Sequence, residues 1–177
     1  MSYTIWFTGM SGSGKTTLST LVFEELIKRG RAAEHLDGDV IRKNFSQELG
    51  FSQAARDMNV RRIGFFTQML NKHGVICVVA AIAPYAQSRE HNRDHIGRYI
   101  EVFCDCDLDT LIARDPKGLY KKALQGEIAN FTGISDPYEH PRSPEVHVRT
   151  GKETVEQSLA TILTFLEGEG LLNATTP

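Results

Sequence analysis

The sequence predicts an α/β fold, a parallel β-sheet core with helices on both faces. Short apolar runs alternate with amphipathic segments along the chain, the pattern of repeated strand–helix units. The run Val75-Ile76-Cys77-Val78-Val79-Ala80-Ala81 is apolar without alternation, as suits a strand covered on both faces. Gly9-Met10-Ser11-Gly12-Ser13-Gly14-Lys15-Thr16-Thr17 matches the phosphate-binding pattern G-x-x-x-x-G-K-[ST], which carries meaning between a strand and a helix.

The elements follow in order. A strand is expected over 4–8, ending at the glycine loop. Leu18, Leu21, Val22 and Leu26 then recur at helical spacing, giving a helix over 15–29 closed by Gly30. A second strand over 32–36 leads to helices over 38–45 and 53–72, the latter capped by Ser52 and closed by Gly74. The third strand, 75–81, precedes a helix over 87–96; the fourth, 99–105, precedes helices over 108–113 and 117–125. A strand over 146–149 and a helix over 155–167 complete the series. No repeat or low-complexity linker interrupts it, so one domain over 1–177 is expected.

Composition narrows the function. A net charge of −2 offers no basic field to nucleic acid or to an anionic membrane. No apolar run approaches the ~20 residues of a membrane span. With the first strand expected so close to Met1, no signal peptide is expected. Cys77, Cys104 and Cys106 lie in or beside strand-like runs, which suits buried, reduced thiols and a cytoplasmic location. A Cys104–Cys106 pair on one strand would not bridge easily. His91 and His95 have a metal-ligand spacing but no third ligand nearby, so a surface pair is expected.

In such sheets ligands bind beyond the carboxyl ends of the strands, so functional residues should follow strands. In the first loop, glycines let backbone N–H groups converge on phosphate oxygens at a helix N-terminus. Lys15 reaches the outer phosphates and the Thr16 hydroxyl ligates Mg²⁺, so a nucleoside triphosphate is expected. After the second strand, Asp37 and Asp39 flank Gly38. They serve metal or acceptor activation, or they cap a helix. Arg56 and Asn59 share one helix face, with Arg61 and Arg62 close by; the pattern suits phosphate or sulfate, or a solvated surface. Phe51 is a hydrophobic staple or an aromatic platform for a base. Ala83-Pro84-Tyr85 and Arg89 follow the third strand, the right end for a site. The basic run Arg114-Asp115-Pro116-Lys117-Gly118-Leu119-Tyr120-Lys121-Lys122 suits a segment that closes over phosphates.

Together and in this order, these segments resemble the adenylylsulfate kinase (APS kinase) family, P-loop kinases that make 3′-phosphoadenylyl sulfate in sulfate assimilation. The resemblance runs from Ile5 to about Glu145. Its most specific pieces are Lys117-Gly118-Leu119-Tyr120, and Phe131-Thr132-Gly133-Ile134 with Asp136-Pro137-Tyr138-Glu139. It implies that Gly9, Ser11, Gly12, Ser13, Gly14, Lys15, Thr16 and Thr17 bind ATP, with Mg²⁺ on Thr16 and Asp37. It implies a catalytic set of Lys15, Asp37, Asp39 and Lys117, one of the two aspartates assisting deprotonation of the acceptor hydroxyl. Arg42, Arg56 and Asn59 would hold the phosphosulfate end of adenylyl sulfate, and Phe51 and Phe131 would sandwich its adenine. Ile82 lines the same pocket, Lys117 and Leu119 lie by the substrate, and Arg114 contacts the ATP side. The family also implies a mobile lid over about 114–135, a homodimer and, for this chain, a stand-alone form. One position departs: many members carry Ser in an Ile-Ser-Pro-Tyr motif where this chain has Ala83, which excludes a phosphoserine there and leaves direct in-line transfer. Another small-molecule P-loop kinase, or a non-catalytic binder of adenylyl sulfate favoured only by Ala83, are the competing expectations. A GTPase lacks its Asn-Lys-x-Asp motif here.

Overall fold

The computed structural model describes residues 2–173. Its strands are β1 (Thr4–Thr8), β2 (Ala33–Asp37), β3 (Ile76–Ala80), β4 (Tyr99–Cys104) and β5 (Val146–Val148). Its helices are α1 (Lys15–Lys28), α2 (Gly38–Phe45), α3 (Gln53–Lys72), α4 (Ala86–Ile96), α5 (Leu108–Arg114), α6 (Leu119–Leu124) and α7 (Val155–Gly168). The strands form one sheet in the order β2-β3-β1-β4-β5, and every pairing is parallel.

Every expected element is present, with shifted ends. β2 begins and ends one residue later than expected, because Ala33 pairs with Ile76 and Asp37 with Ala80 in the ladder. α6 starts at Leu119 rather than 117, because Gly118 takes φ 65 at its N-cap. Ser52 caps α3, its Oγ accepting from Ala55 N at 3.3 Å. Gly30 and Gly74 sit at φ 71 and 81 just past α1 and α3, as helix-closing glycines do.

The sheet is buried on both sides by alternate residues. Ile5, Phe7, Ile76 and Val78 pack with Leu18, Val22 and Leu26 of α1 and Ile162 and Leu166 of α7. Trp6, Cys77 and Val79 pack the other way, with Val60 and Ile63 of α3 and Ile96 of α4. That double covering is why the β3 run shows no polar alternation. A third, smaller cluster of Cys106, Leu111, Tyr120, Ala123 and Phe131 gathers the chain around α5 and α6. Cys77, Cys104 and Cys106 are buried and free, and burial pushes the Cys77 and Cys104 thiols up to about 12. His91 and His95 stack with ring centroids 4.1 Å apart. Among the described residues no three His, Cys, Asp or Glu side chains are grouped to hold a metal ion, and no helix is long and apolar enough to cross a membrane.

Candidate active site

The loop between β1 and α1 depends on its glycines. Gly9, Gly12 and Gly14 take φ 148, 77 and 86. A Cβ on Gly9 would stand 2.5 Å from Cys104 O and 2.6 Å from Ser13 Oγ, closer than real contacts allow. Gly14 is the N-cap of α1 and supplies no side chain to its N–H groups, so the helix start is open to an anion. Ser13 Oγ is buried without a partner. Lys15 is 9% exposed and its Nζ donates to Met10 O at 2.7 Å. Burial outweighs the nearby Asp39 and Asp37 charges and lowers its ammonium from 10.5 to about 8, so a phosphate beside it would stabilise the charged form.

Asp37 does two jobs at once. Its Oδ1 accepts from Asp39 N at 2.9 Å and Val40 N at 3.3 Å, capping α2. Its Oδ2 accepts from Thr16 Oγ1 at 3.1 Å. Capping and metal contact are therefore not alternatives for this residue. A hydroxyl and a carboxylate side by side are the hard oxygen donors Mg²⁺ takes when phosphates and waters complete its shell. Asp39 is exposed and its Oδ2 accepts from Lys117 Nζ at 3.1 Å. Lys15, Asp37, Asp39 and Lys117 are near enough for their charges to act on one another.

A second group lies at the start of α3. Arg42 Nη1 donates to Gly50 O at 2.9 Å, and its guanidinium lies 5.0 Å from the Phe51 ring centre. Arg56 Nε donates to Phe51 O at 3.0 Å, and its guanidinium is 5.4 Å from the same ring. Phe51 is 52% exposed, so it is not a staple; it is an open ring under two cations. Burial, and then Arg56 itself, lower the Arg42 pKa. Two guanidiniums held this close, and partly desolvated, favour an anion between them. Asn59 is buried and its Oδ1 has no partner, leaving an acceptor for a bound molecule.

The 114–135 segment lies against the phosphate loop. Tyr120 Oη donates to Ser11 O at 2.7 Å, and Arg56 Nη2 donates to Asn130 O at 2.6 Å. Phe131 is 8% exposed and packs edge-on against Tyr120, with centroids 5.1 Å apart. Its ring thus belongs to the small cluster, while its backbone neighbour Asn130 is tied to the Phe51–Arg56 group. Leu119 packs on the same cluster. Arg114 Nη1 donates to Thr150 O at 3.1 Å, and Thr150 borders Gly14 at the loop's end. Thr16 and Thr17 are exposed in the first turn of α1. Ile82 O accepts from Thr8 Oγ1 at 2.6 Å, which couples the end of β1 to the turn after β3.

The structure therefore assembles Lys15, Thr16, Asp37, Asp39 and Lys117 in one group and Arg42, Phe51, Arg56 and Asn59 at a second. Asp39 links them, since its charge acts on both Lys15 and Arg42. Two contributors escaped the sequence. Tyr120 lies inside the run Lys117-Gly118-Leu119-Tyr120, yet nothing there announces its bond to Ser11. Thr8 has one available signal, a hydroxyl ending an apolar strand directly before Gly9.

Comparison with known proteins adds the following. A family model described as adenylylsulphate kinase matches residues 1–149. An adenylyl-sulfate kinase of Synechococcus is 50% identical over 169 residues, covering 96% of this chain and 96% of that protein. A probable bifunctional SAT/APS kinase of Sorangium cellulosum is 53% identical over 168 residues; the match covers 95% of this chain but only 29% of the relative. The Mycobacterium tuberculosis APS kinase solved in complex with AMPPNP and APS superposes with a TM-score of 0.89 at 39% identity, covering 94% of this chain and 98% of that one.

Proposed function

Because this chain belongs to the adenylylsulphate kinase family, we propose that it transfers the γ-phosphoryl group of ATP to the 3′-hydroxyl of adenylyl sulfate, giving 3′-phosphoadenylyl sulfate and ADP. The observation that carries this reading is the exposed Phe51 ring under Arg42 and Arg56, linked through Asp39 to the Lys15 loop. It joins a base platform and an anion clamp to a triphosphate loop.

The geometry supports the following roles. Loop N–H groups and Lys15 hold the ATP phosphates and meet the charge that spreads over the transferring group. Thr16 and Asp37 would hold Mg²⁺, which when bound neutralises charge on the β- and γ-phosphates. Both oxygens of Asp37 are engaged, by the α2 cap and by Thr16. Asp39 is exposed and engaged through Oδ2 with Lys117, which supports Asp39 as the residue that orients and deprotonates the 3′-hydroxyl. Arg42 and Arg56 hold the phosphosulfate, Asn59 Oδ1 accepts from the substrate, and Phe51 carries the adenine. Phe131 and Ile82 complete the pocket. Lys117 and Arg114 bring positive charge from the closing segment, which acts as a lid over 114–135 and limits access of water to the γ-phosphate. Transfer is direct, because Ala83 has no hydroxyl to carry a phosphoryl group.

ADP release coupled to a spectrophotometric assay tests the activity. It should depend on adenylyl sulfate and on Mg²⁺ and should not respond to a panel of sugars or nucleoside monophosphates. Release without adenylyl sulfate dependence would refute the assignment.

We also propose that two copies pair through α3. Met58, Phe65 and Met69 lie on one face of this helix, 47%, 60% and 46% exposed, and Phe45 on α2, itself exposed, packs its ring at a tilt against Phe66 of the same helix. A helix face apolar in this way suits a two-fold pairing with itself. Phe65→Glu is expected to halve the mass seen by light scattering while leaving the circular dichroism spectrum unchanged. An unaltered mass would rule out this face. The free, buried thiols support a reducing, cytoplasmic setting.

A further inference from the structure

The turn from Ile82 to Tyr85, which leads into α4, has no regular structure, so its backbone groups need partners from elsewhere. Ala83 within it is 2% exposed and takes φ 44, a left-handed conformation that an alanine rarely adopts unless held there. Thr8 Oγ1 holds Ile82 O at 2.6 Å, and Glu139 N donates to Pro84 O at 2.8 Å. Ala86 N donates to Glu139 Oε2 at 2.6 Å. One buried side chain spans both partners. Arg89 is 4% exposed; its Nη1 donates to Ala83 O and its Nη2 to Glu139 O, each at 2.6 Å. Its Nε lies 3.2 Å from Glu101 Oε1, an ion pair without hydrogen-bond alignment, and its guanidinium lies 5.9 Å from the Tyr138 ring centre.

We infer that Arg89 is a positioning residue for the acceptor pocket: its planar fork locks the Ile82–Tyr85 turn, through the Ala83 carbonyl, to the Glu139 backbone. This rests on the proposed activity, since it is adenylyl sulfate that Ile82 and the turn meet. Only a fork with two donors on one rigid plane can hold both carbonyls while a third nitrogen faces Glu101. Glu101 also lies 3.5 Å from Arg93 Nη2, so it keeps one cation when Arg89 alone is replaced. A merely structural role for Arg89 would be charge balance for Glu101, and the two roles separate by substitution.

Arg89→Lys keeps a cation facing Glu101 but cannot span the two carbonyls. The KM for adenylyl sulfate is expected to rise about tenfold, as for the loss of one charge-assisted hydrogen bond. The KM for ATP is expected to stay within about twofold, because the phosphate loop is untouched. Arg89→Met removes one of the two cations facing the buried Glu101 carboxylate and lowers the thermal midpoint. The double variant Arg89→Met/Glu101→Gln is expected to recover much of that midpoint while keeping the raised KM for adenylyl sulfate. Recovery of KM together with the midpoint, or an equal rise of both KM values in Arg89→Lys, would overturn the inference while the wild-type chain still turns over. A wild-type chain that releases no ADP with adenylyl sulfate would overturn the proposed activity and this inference with it.

Discussion

Lys15→Met is expected to cut adenylyl-sulfate-dependent ADP release by about a hundred- to a thousandfold, the usual cost of removing one preorganised charge from a transferring group. At pH 7 the same substitution is expected to raise the thermal midpoint. Lys15 is buried, and burial holds its ammonium at about 8 instead of 10.5. Below about pH 8 the lysine is protonated in both the folded and unfolded chain, and the folded state bears the full cost of desolvating it. Between pH 8 and 10.5 the folded chain sheds its proton first, so wild-type stability rises with pH; above 10.5 the cost is gone. Methionine removes a penalty of about 3 kcal/mol below pH 8. It gives back about 1 kcal/mol by depriving Met10 O of its donor. The net gain of about 2 kcal/mol should shrink as the pH approaches 10.5, which calorimetry at pH 7 and pH 10 would detect. A lowered midpoint at pH 7 would contradict this account of Lys15, and wild-type turnover would contradict its role in catalysis.

Gly9→Ala is expected to cost about 3 kcal/mol or more and to abolish nucleotide binding. At φ 148 the added Cβ meets Cys104 O at 2.5 Å and Ser13 Oγ at 2.6 Å. The first of these is backbone at the end of β4, which is locked to β1 and β5 and cannot move aside cheaply. Gly30→Ala is the control. It too has a positive φ, 71, but a Cβ there meets nothing within 4 Å. Its cost should be about 1 kcal/mol, with turnover unchanged. Urea melts of the two variants, with titration of a fluorescent ATP analogue, would separate them. Equal losses would mean that the Cys104 contact is unimportant.

Much of this was legible from residues that signal locally. The strands and helices are marked by apolar runs, capping residues such as Ser52 and closing glycines such as Gly30, all of which act within a few positions. The phosphate loop is contiguous and so reads directly. The division of labour at Asp37 was not legible, because its capping bonds are local while its Thr16 contact joins residues 21 positions apart. Phe131 shows the same limit. An aromatic in a polar loop demands a partner, but only the folded chain shows Tyr120 taking its ring and Arg56 reaching its neighbour Asn130. Arg89 stood out as a cation after the third strand; its partners Glu101 and Glu139 become neighbours only when the sheet sets β3 and β4 on either side of β1 and the loop before β5 lies beside them.

The place of β1 in the sheet bears on how the protein is made. β1 is the first strand to leave the ribosome, yet it lies in the middle of the sheet, between β3 and β4. Its partners begin at Ile76 and Tyr99, so it has no hydrogen-bonding neighbour in the sheet until β3 has been synthesised. Pairings this distant in sequence form slowly. A stalled nascent chain ending before Ile76 should therefore leave the Gly9 loop open to protease, and one carrying β4 well clear of the exit tunnel should protect it. The nucleotide loop is written before the strands that hold it and takes shape only after them.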